Sequence, residues 1–179
     1  PGSEYAETRH NIAWNCMDFF SFSSELRWKT KFKGEYSQLE KSGKKFYFLK
    51  PQTYMNLSGE SVVALSQFFK IPTENIIVLH DDIDLDFGVL VLKKGGGLAG
   101  HNGLKSIKAI MGTGNFFRFR IGVGRPEKGD VSNWVLSRFN SSESAKLETF
   151  YELVSNAVDE LIERGFEKAS NKFSRKRVE

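Results

Sequence analysis

The sequence predicts an α/β fold: a single domain over residues 1–179, with a twisted mixed sheet flanked by helices on both faces. Three observations lead there. Short apolar runs rich in β-formers recur along the chain, bounded by Pro, Gly or charge. Stretches with apolar residues at helical spacing lie between and after them. The chain has 179 residues, 40% of them apolar and 16 of them Phe, which is enough for one sizeable core.

The elements follow in order. Residues 46–49 (FYFL) read as a buried strand stopped by Lys50 and Pro51. Ser58 is placed to cap a helix through Phe69, with Glu60 in its positive first turn and Pro72 soon after its end. Residues 76–79 (IIVL) and 89–92 (VLVL) supply two more buried strands. Asn102 is placed to cap a helix over 103–111, which Gly112 ends. In the strand over 117–123, Phe117, Phe119, Ile121 and Val123 alternate with Arg118, Arg120 and Gly122. The last third is mostly one amphipathic helix, with Leu147, Phe150, Leu153, Ala157 and Leu161 in its stripe and Gly165 at its end.

Composition narrows the function classes. No run of about 18 apolar residues exists, so no membrane span is expected. No basic-then-apolar segment opens the chain, and the only cysteine, Cys16, can form no intramolecular disulfide or cysteine metal cluster. A cytoplasmic protein is expected, with Cys16 serving as a small buried apolar residue. The net charge of +4 is unevenly spread. Residues 93–126 hold Lys93, Lys94, Lys105, Lys108, Arg118, Arg120 and Arg125 and no acid. Localised positive charge suits a phosphate-rich partner. A second basic cluster lies at 172–177.

Ligands of open α/β sheets gather where strands end and loops begin. Four loops qualify: TRHN (8–11), TYMN (53–56), HDDID (80–84) and GGGLAGHNG (95–103). The last holds a G-x-G-x-x-G between a strand and a helix. A dinucleotide site also needs an acid about 20 residues on, where this chain reads FFRFR. The loops instead offer a histidine, a carboxylate beside an apolar strand, and two amides. A neutral His can take a proton from water, a buried carboxylate can fix its tautomer, and amides can orient water or stabilise an oxyanion. No HxxxH or CxxC spacing appears, so neither a metal nor another cofactor is expected.

PGSEYAETRHN (1–11), KPQTYMNLSGESV (50–62), HDDIDLDFG (80–88), GGGLAGHNGLKSI (95–107), RFRIGVGRP (118–126) and EKASNKF (167–173) follow one another over nearly the whole chain. On these stretches the chain resembles the bacterial peptidyl-tRNA hydrolase family. The resemblance implies a monomeric α/β hydrolase that cleaves the ester between a peptide and the 3′-terminal ribose of tRNA. Position by position, it implies that His10 is the general base, Asp81 the carboxylate that supports it, and Asn56 the amide near the ester and water. Tyr5, Tyr54 and Asn102 match tRNA- or peptide-contacting positions, and Met55 the lining of a peptide channel, where a thioether tolerates varied side chains. His80 and His101 read as supporting hydrogen-bonding groups, and Asp82, Asp84 and Asp86 as an exposed acidic turn.

The resemblance also implies a clamp for the tRNA 5′-phosphate made of Lys93 with Arg118 or Arg120. The choice of arginine stays open, because both share one face of an alternating strand. Val91 stands where the family often has a basic residue. The family carries a buried strand and an Asn directly before Pro-Gly; the sequence starts at Pro1, so that strand is expected to be missing from the sheet. The expected partner is peptidyl-tRNA, through its acceptor stem and 3′ end. The alternative is a tRNA- or RNA-binding homologue without turnover; His10, Asp81 and Asn56 favour the enzyme.

Overall fold

The computed structural model describes residues 2–179; Pro1, where the absence of the family's opening strand was expected to tell, lies outside the described residues. The chain gathers into two compact units. One comprises Ser24–Ile77 and Lys94–Phe117, the other Gly2–Ser23, Val78–Lys93 and Arg118–Glu179.

The first unit is built on a three-stranded antiparallel sheet of β1 (Lys29–Lys31), β2 (Gly34–Lys41) and β3 (Lys44–Pro51). Ser42 and Gly43 join β2 to β3, both at positive φ, as a two-residue hairpin turn requires. Residues 46–49 were expected in a buried strand of an α/β sheet. They lie instead in this hairpin and are only half-buried, because an antiparallel strand need cover one face only. Tyr47 on β3 stacks on Phe69 at 4.1 Å between ring centroids. Phe69 follows α2 (Ser58–Phe68), and α3 (Asn102–Met111) is the second helix of this unit. The two helices pass close at Gly59, where a Cβ would stand 2.4 Å from the Ser106 carbonyl oxygen. Gly112, at φ 76°, ends α3 as its sequence position predicts.

The second unit holds most of a four-stranded sheet in the order β4-β6-β5-β7, formed by β4 (Ile77–Asp82), β5 (Val89–Lys94), β6 (Phe117–Gly122) and β7 (Lys176–Arg177). Phe117 N–H donates to Ile76 C=O and Val123 N–H to Asp82 C=O, so β4 and β6 run parallel. Gly95 N–H donates to Phe116 C=O and Gly88 N–H to Gly122 C=O, so β5 and β6 run antiparallel. β7 is antiparallel to β5, and the sheet is therefore mixed. Leu90, Leu92, Phe119 and Ile121 are buried on its strands. Ile12 and Cys16 of α1 (Ile12–Asp18) and Phe150, Val154, Ala157 and Ile162 of α6 (Leu147–Arg164) are buried too.

The stripe of α6 is turned slightly from its expected place. Leu147, Leu153 and Leu161 are half-buried, while Tyr151, Val154, Val158 and Ile162 are inside. Gly165, at φ 89°, separates α6 from α7 (Phe166–Phe173). Two short helices, α4 (Val131–Val135) and α5 (Ser141–Ser144), precede α6. The class is α/β, with both sheets flanked by helices. Cys16 is fully buried, and burial pushes its thiol well above the ordinary range, so it acts as an inert apolar residue. Among the described residues no helix is long and apolar enough to cross a membrane.

Candidate active site

In the second unit, two short 3₁₀ turns, Ser3–Tyr5 and Arg9–Asn11, lead into α1. The Tyr5 carbonyl is their shared acceptor, taking bonds from Thr8 N–H (3.0 Å), Thr8 Oγ1 (2.8 Å) and Asn11 Nδ2 (2.9 Å). The Tyr5 side chain is half-buried. This tight local network presents His10, whose side chain keeps 17% of its surface exposed. Asp81, near the end of β4 and 3% exposed, places Oδ1 2.9 Å from His10 Nδ1. A carboxylate can only accept, so Nδ1 carries the proton and Nε2 keeps a lone pair. That tautomer is the one a base acting on water needs, and the carboxylate would stabilise the imidazolium that forms. His80 is buried, with Nδ1 2.7 Å from the Asp81 carbonyl oxygen, which suits the supporting role expected of it.

Asp82 departs from the exposed turn expected of it. It is 2% exposed; Oδ2 accepts from Arg120 Nε at 2.7 Å, and Oδ1 accepts from Asp84 N–H at 2.9 Å. A buried carboxylate needs such partners, and Arg120, 38 residues on, lies on the parallel neighbour of β4. Asp84 and Asp86 are exposed and pair with Arg125 and Arg177. Arg118 is 1% exposed, and burial first, then the charge of Arg120, pulls its guanidinium below the ordinary range against the pull of Asp82. Of the three clamp candidates, then, Arg118 is buried, Arg120 is tied to Asp82, and Lys93 is exposed on β5.

Arg9 was not singled out from the sequence. It is 2% exposed, and its guanidinium makes two hydrogen bonds to the Glu143 carboxylate, at 2.9 and 2.6 Å. It lies over the Trp134 ring, 3.8 Å from the centroid. Glu143 is 134 residues away in sequence, and no local pattern links the two.

In the first unit, the TYMN loop forms a 3₁₀ turn over Met55–Leu57. Tyr54 is 73% exposed, and Asn56 is exposed as well. Ser58 is not the cap expected of it. It is the first residue of α2, and its Oγ donates to the Met55 carbonyl at 2.8 Å, which closes the turn instead. Met55 Sδ packs on Gly103, where a Cβ would stand 2.7 Å from the sulfur. Only glycine lets the thioether approach α3 so closely. Asn102 is likewise not the cap of α3. His101 is, with Nδ1 accepting from Gly103 N–H (3.1 Å) and Leu104 N–H (3.2 Å). Asn102 is thereby left exposed on the first turn. The structure thus joins His10 to Asp81 in one unit, and Met55 to the start of α3 in the other.

Comparison with known proteins gives a consistent result. The family model described as peptidyl-tRNA hydrolase matches residues 1–179. A peptidyl-tRNA hydrolase of Sorangium cellulosum is 46% identical over 177 residues, covering 96% of this chain and 78% of the relative. One from Clostridium novyi is 42% identical over 176 residues, covering 97% and 93%. Among solved structures, a peptidyl-tRNA hydrolase in complex with N-propanol superposes with a TM-score of 0.92 at 35% identity, covering 100% of this chain and 92% of the other. The enzyme from Acinetobacter baumannii gives a TM-score of 0.87 at 35% identity, covering 99% and 91%. On this sequence identity, coverage and fold, the chain belongs to the peptidyl-tRNA hydrolase family.

Proposed function

We propose that this chain hydrolyses the ester linking a peptide, or an N-blocked amino acid, to the 3′-terminal ribose of tRNA, and so returns tRNA to translation. The observation that carries the proposal is the buried Asp81 carboxylate aligned 2.9 Å from His10 Nδ1, within a chain of this family. A binding role without turnover has no need of such a pair.

His10 Nε2 takes a proton from water as the water oxygen attacks the ester carbonyl. Asp81 stabilises the imidazolium, and the Asn56 amide donates to the developing oxyanion or orients the water. As the C–O bond breaks, the imidazolium returns its proton to the 3′ oxygen of the leaving ribose. Peptide is released as a carboxylic acid, which gives its proton to solvent and leaves as the carboxylate, and tRNA is released with a free hydroxyl. Met55 contacts the peptide; Tyr5, Tyr54 and Asn102 contact peptide or tRNA. Lys93 reaches a phosphate of the acceptor stem, and its exposure suits that task. Arg118 and Arg120 hold their strand and Asp82 in place, since buried or paired guanidiniums are poorly presented to a phosphate. The chain works as one monomeric hydrolase domain in the cytoplasm.

The test is release of an N-acetylaminoacyl group from tRNA at several salt concentrations, beside unblocked aminoacyl-tRNA. Cleavage of the blocked ester, with a KM that rises as salt is added, supports the proposal. Salt-sensitive tRNA binding without cleavage by a folded protein would replace it with the binding reading.

A further inference from the structure

Arg9 is one of the largest fully buried side chains in the chain, and the reaction above assigns it no role. A buried guanidinium is costly unless its donors are met. Four donors are engaged here: Nη1 bonds the Val123 carbonyl (3.2 Å) and Glu143 Oε1 (2.9 Å), Nη2 bonds Glu143 Oε2 (2.6 Å), and Nε bonds Ser137 Oγ (3.3 Å). The cation also lies 3.8 Å from the Trp134 ring centroid and 4.8 Å from that of Phe139.

These partners reach both halves of the catalytic pair. Arg9 immediately precedes His10, and its own N–H donates to Ser137 C=O. Val123, which accepts from the guanidinium, donates its N–H to the Asp82 carbonyl, one residue beyond Asp81. Trp134 donates Nε1–H to the Gly124 carbonyl, the next along the chain. Glu143 is itself held: it forms a capping box with Asn140 at the start of α5, and its Oε2 accepts from Asn140 N–H at 2.9 Å. One guanidinium therefore references the turn bearing His10 and the strand end bearing Asp81 to the same frame.

We propose that Arg9, clamped by Glu143 and Trp134, is a positioning residue that sets the His10–Asp81 geometry and hence the competence of the base. This rests on the hydrolase reading for its kinetic consequence, but not for its structural one. The fork of arginine is what the site uses, since lysine cannot bond a carboxylate and a carbonyl in one plane.

Glu143→Gln, Arg9→Lys and the double variant test this. Each is assayed for kcat and KM on N-acetylaminoacyl-tRNA, for melting temperature, and by proton NMR for the downfield Nδ1–H resonance of His10, assigned by its loss in Asp81→Asn. The expected result is a kcat lowered on the order of ten- to a hundredfold, as for a base displaced by a fraction of an ångström to about 1 Å. KM should barely change, the resonance should shift or broaden, and the double variant should be no worse than the worse single. Unchanged kcat and an unmoved resonance, with only a lower melting temperature, would overturn the proposal. Should Arg9→Lys fail to fold, Glu143→Gln decides alone. If the wild-type protein proves inert toward the ester, the hydrolase reading fails by itself. The resonance in Glu143→Gln then still decides the positioning role, supporting it by moving and overturning it by staying.

Discussion

Replacing Asp81 by Asn removes a charge while keeping shape, and the structure sets the size of the effect. Asp81 is 3% exposed, and its Oδ1 is 2.9 Å from His10 Nδ1. When His10 takes a proton from water, an imidazolium forms against this carboxylate. Charge centres about 4 Å apart attract by ~4 kcal/mol at an effective dielectric of about 20. Losing that attraction in the transition state slows the chemical step about a thousandfold. Asn adds a second fault, because its NH₂ can donate to Nδ1 and so favour the tautomer with the proton on Nε2, where no base remains. The assay is single-turnover hydrolysis of N-acetylaminoacyl-tRNA with enzyme in excess, which isolates chemistry from binding and product release. The Asp81→Asn rate should fall about a thousandfold with tRNA affinity unchanged. A folded variant losing less than about tenfold would refute the assignment of Asp81 as partner of the base.

Two further expectations concern stability. Glu160 on α6 accepts from Lys172 Nζ at 2.8 Å, and this bond is the largest of the influences that hold its carboxyl below the ordinary value of 4.5, with Arg164 adding to it. A depressed folded value means that the stabilisation is complete above the unfolded pKa and is lost as pH falls through the folded one. The melting-temperature gap between wild type and Lys172→Gln should therefore be constant near neutral pH and close on acidification through and below the carboxylate range; a gap that persists in strong acid would contradict this. Gly59→Ala would drive a Cβ to 2.4 Å from the Ser106 carbonyl oxygen and 2.9 Å from the Ile107 nitrogen, both backbone atoms. It should cost ~1–3 kcal/mol or more, seen as a lower urea midpoint at unchanged slope, and an unmoved midpoint would show that α2 and α3 can part freely.

What was legible in the sequence is what short-range physics controls. The runs at 76–79, 89–92 and 117–123 each fall on a strand, with only Ile76 and Val123 just outside, because continuous or alternating β-formers have little choice once buried. Gly112 and Gly165 end helices with the positive φ that glycine tolerates. The strand pair Lys29–Lys31 and Gly34–Lys41 escaped notice: the first is a short exposed edge, and the second, though central and buried at Ser37 and Leu39, carries too few apolar residues to give the signal by which strands are recognised. Helix caps were misplaced by one residue: Leu57 and His101 stand where Ser58 and Asn102 were expected, and side-chain chemistry alone does not say at which neighbour the helical backbone begins. For the site, the family motifs pointed to His10 and Asp81, and the structure pairs them. The partners of Asp82 and Arg9 were invisible, because Arg120 and Glu143 lie 38 and 134 residues away and are brought near only by folding.

The most direct test of the hydrolase assignment is the turnover of N-acetylaminoacyl-tRNA by the wild-type protein and by His10→Ala, with circular dichroism showing both to be folded. The wild type should release the blocked amino acid, and His10→Ala should be slower by on the order of 10²–10⁴-fold, the contribution of a positioned general base. A folded His10→Ala that matches the wild-type rate, or a folded wild type that leaves the ester intact, would contradict it.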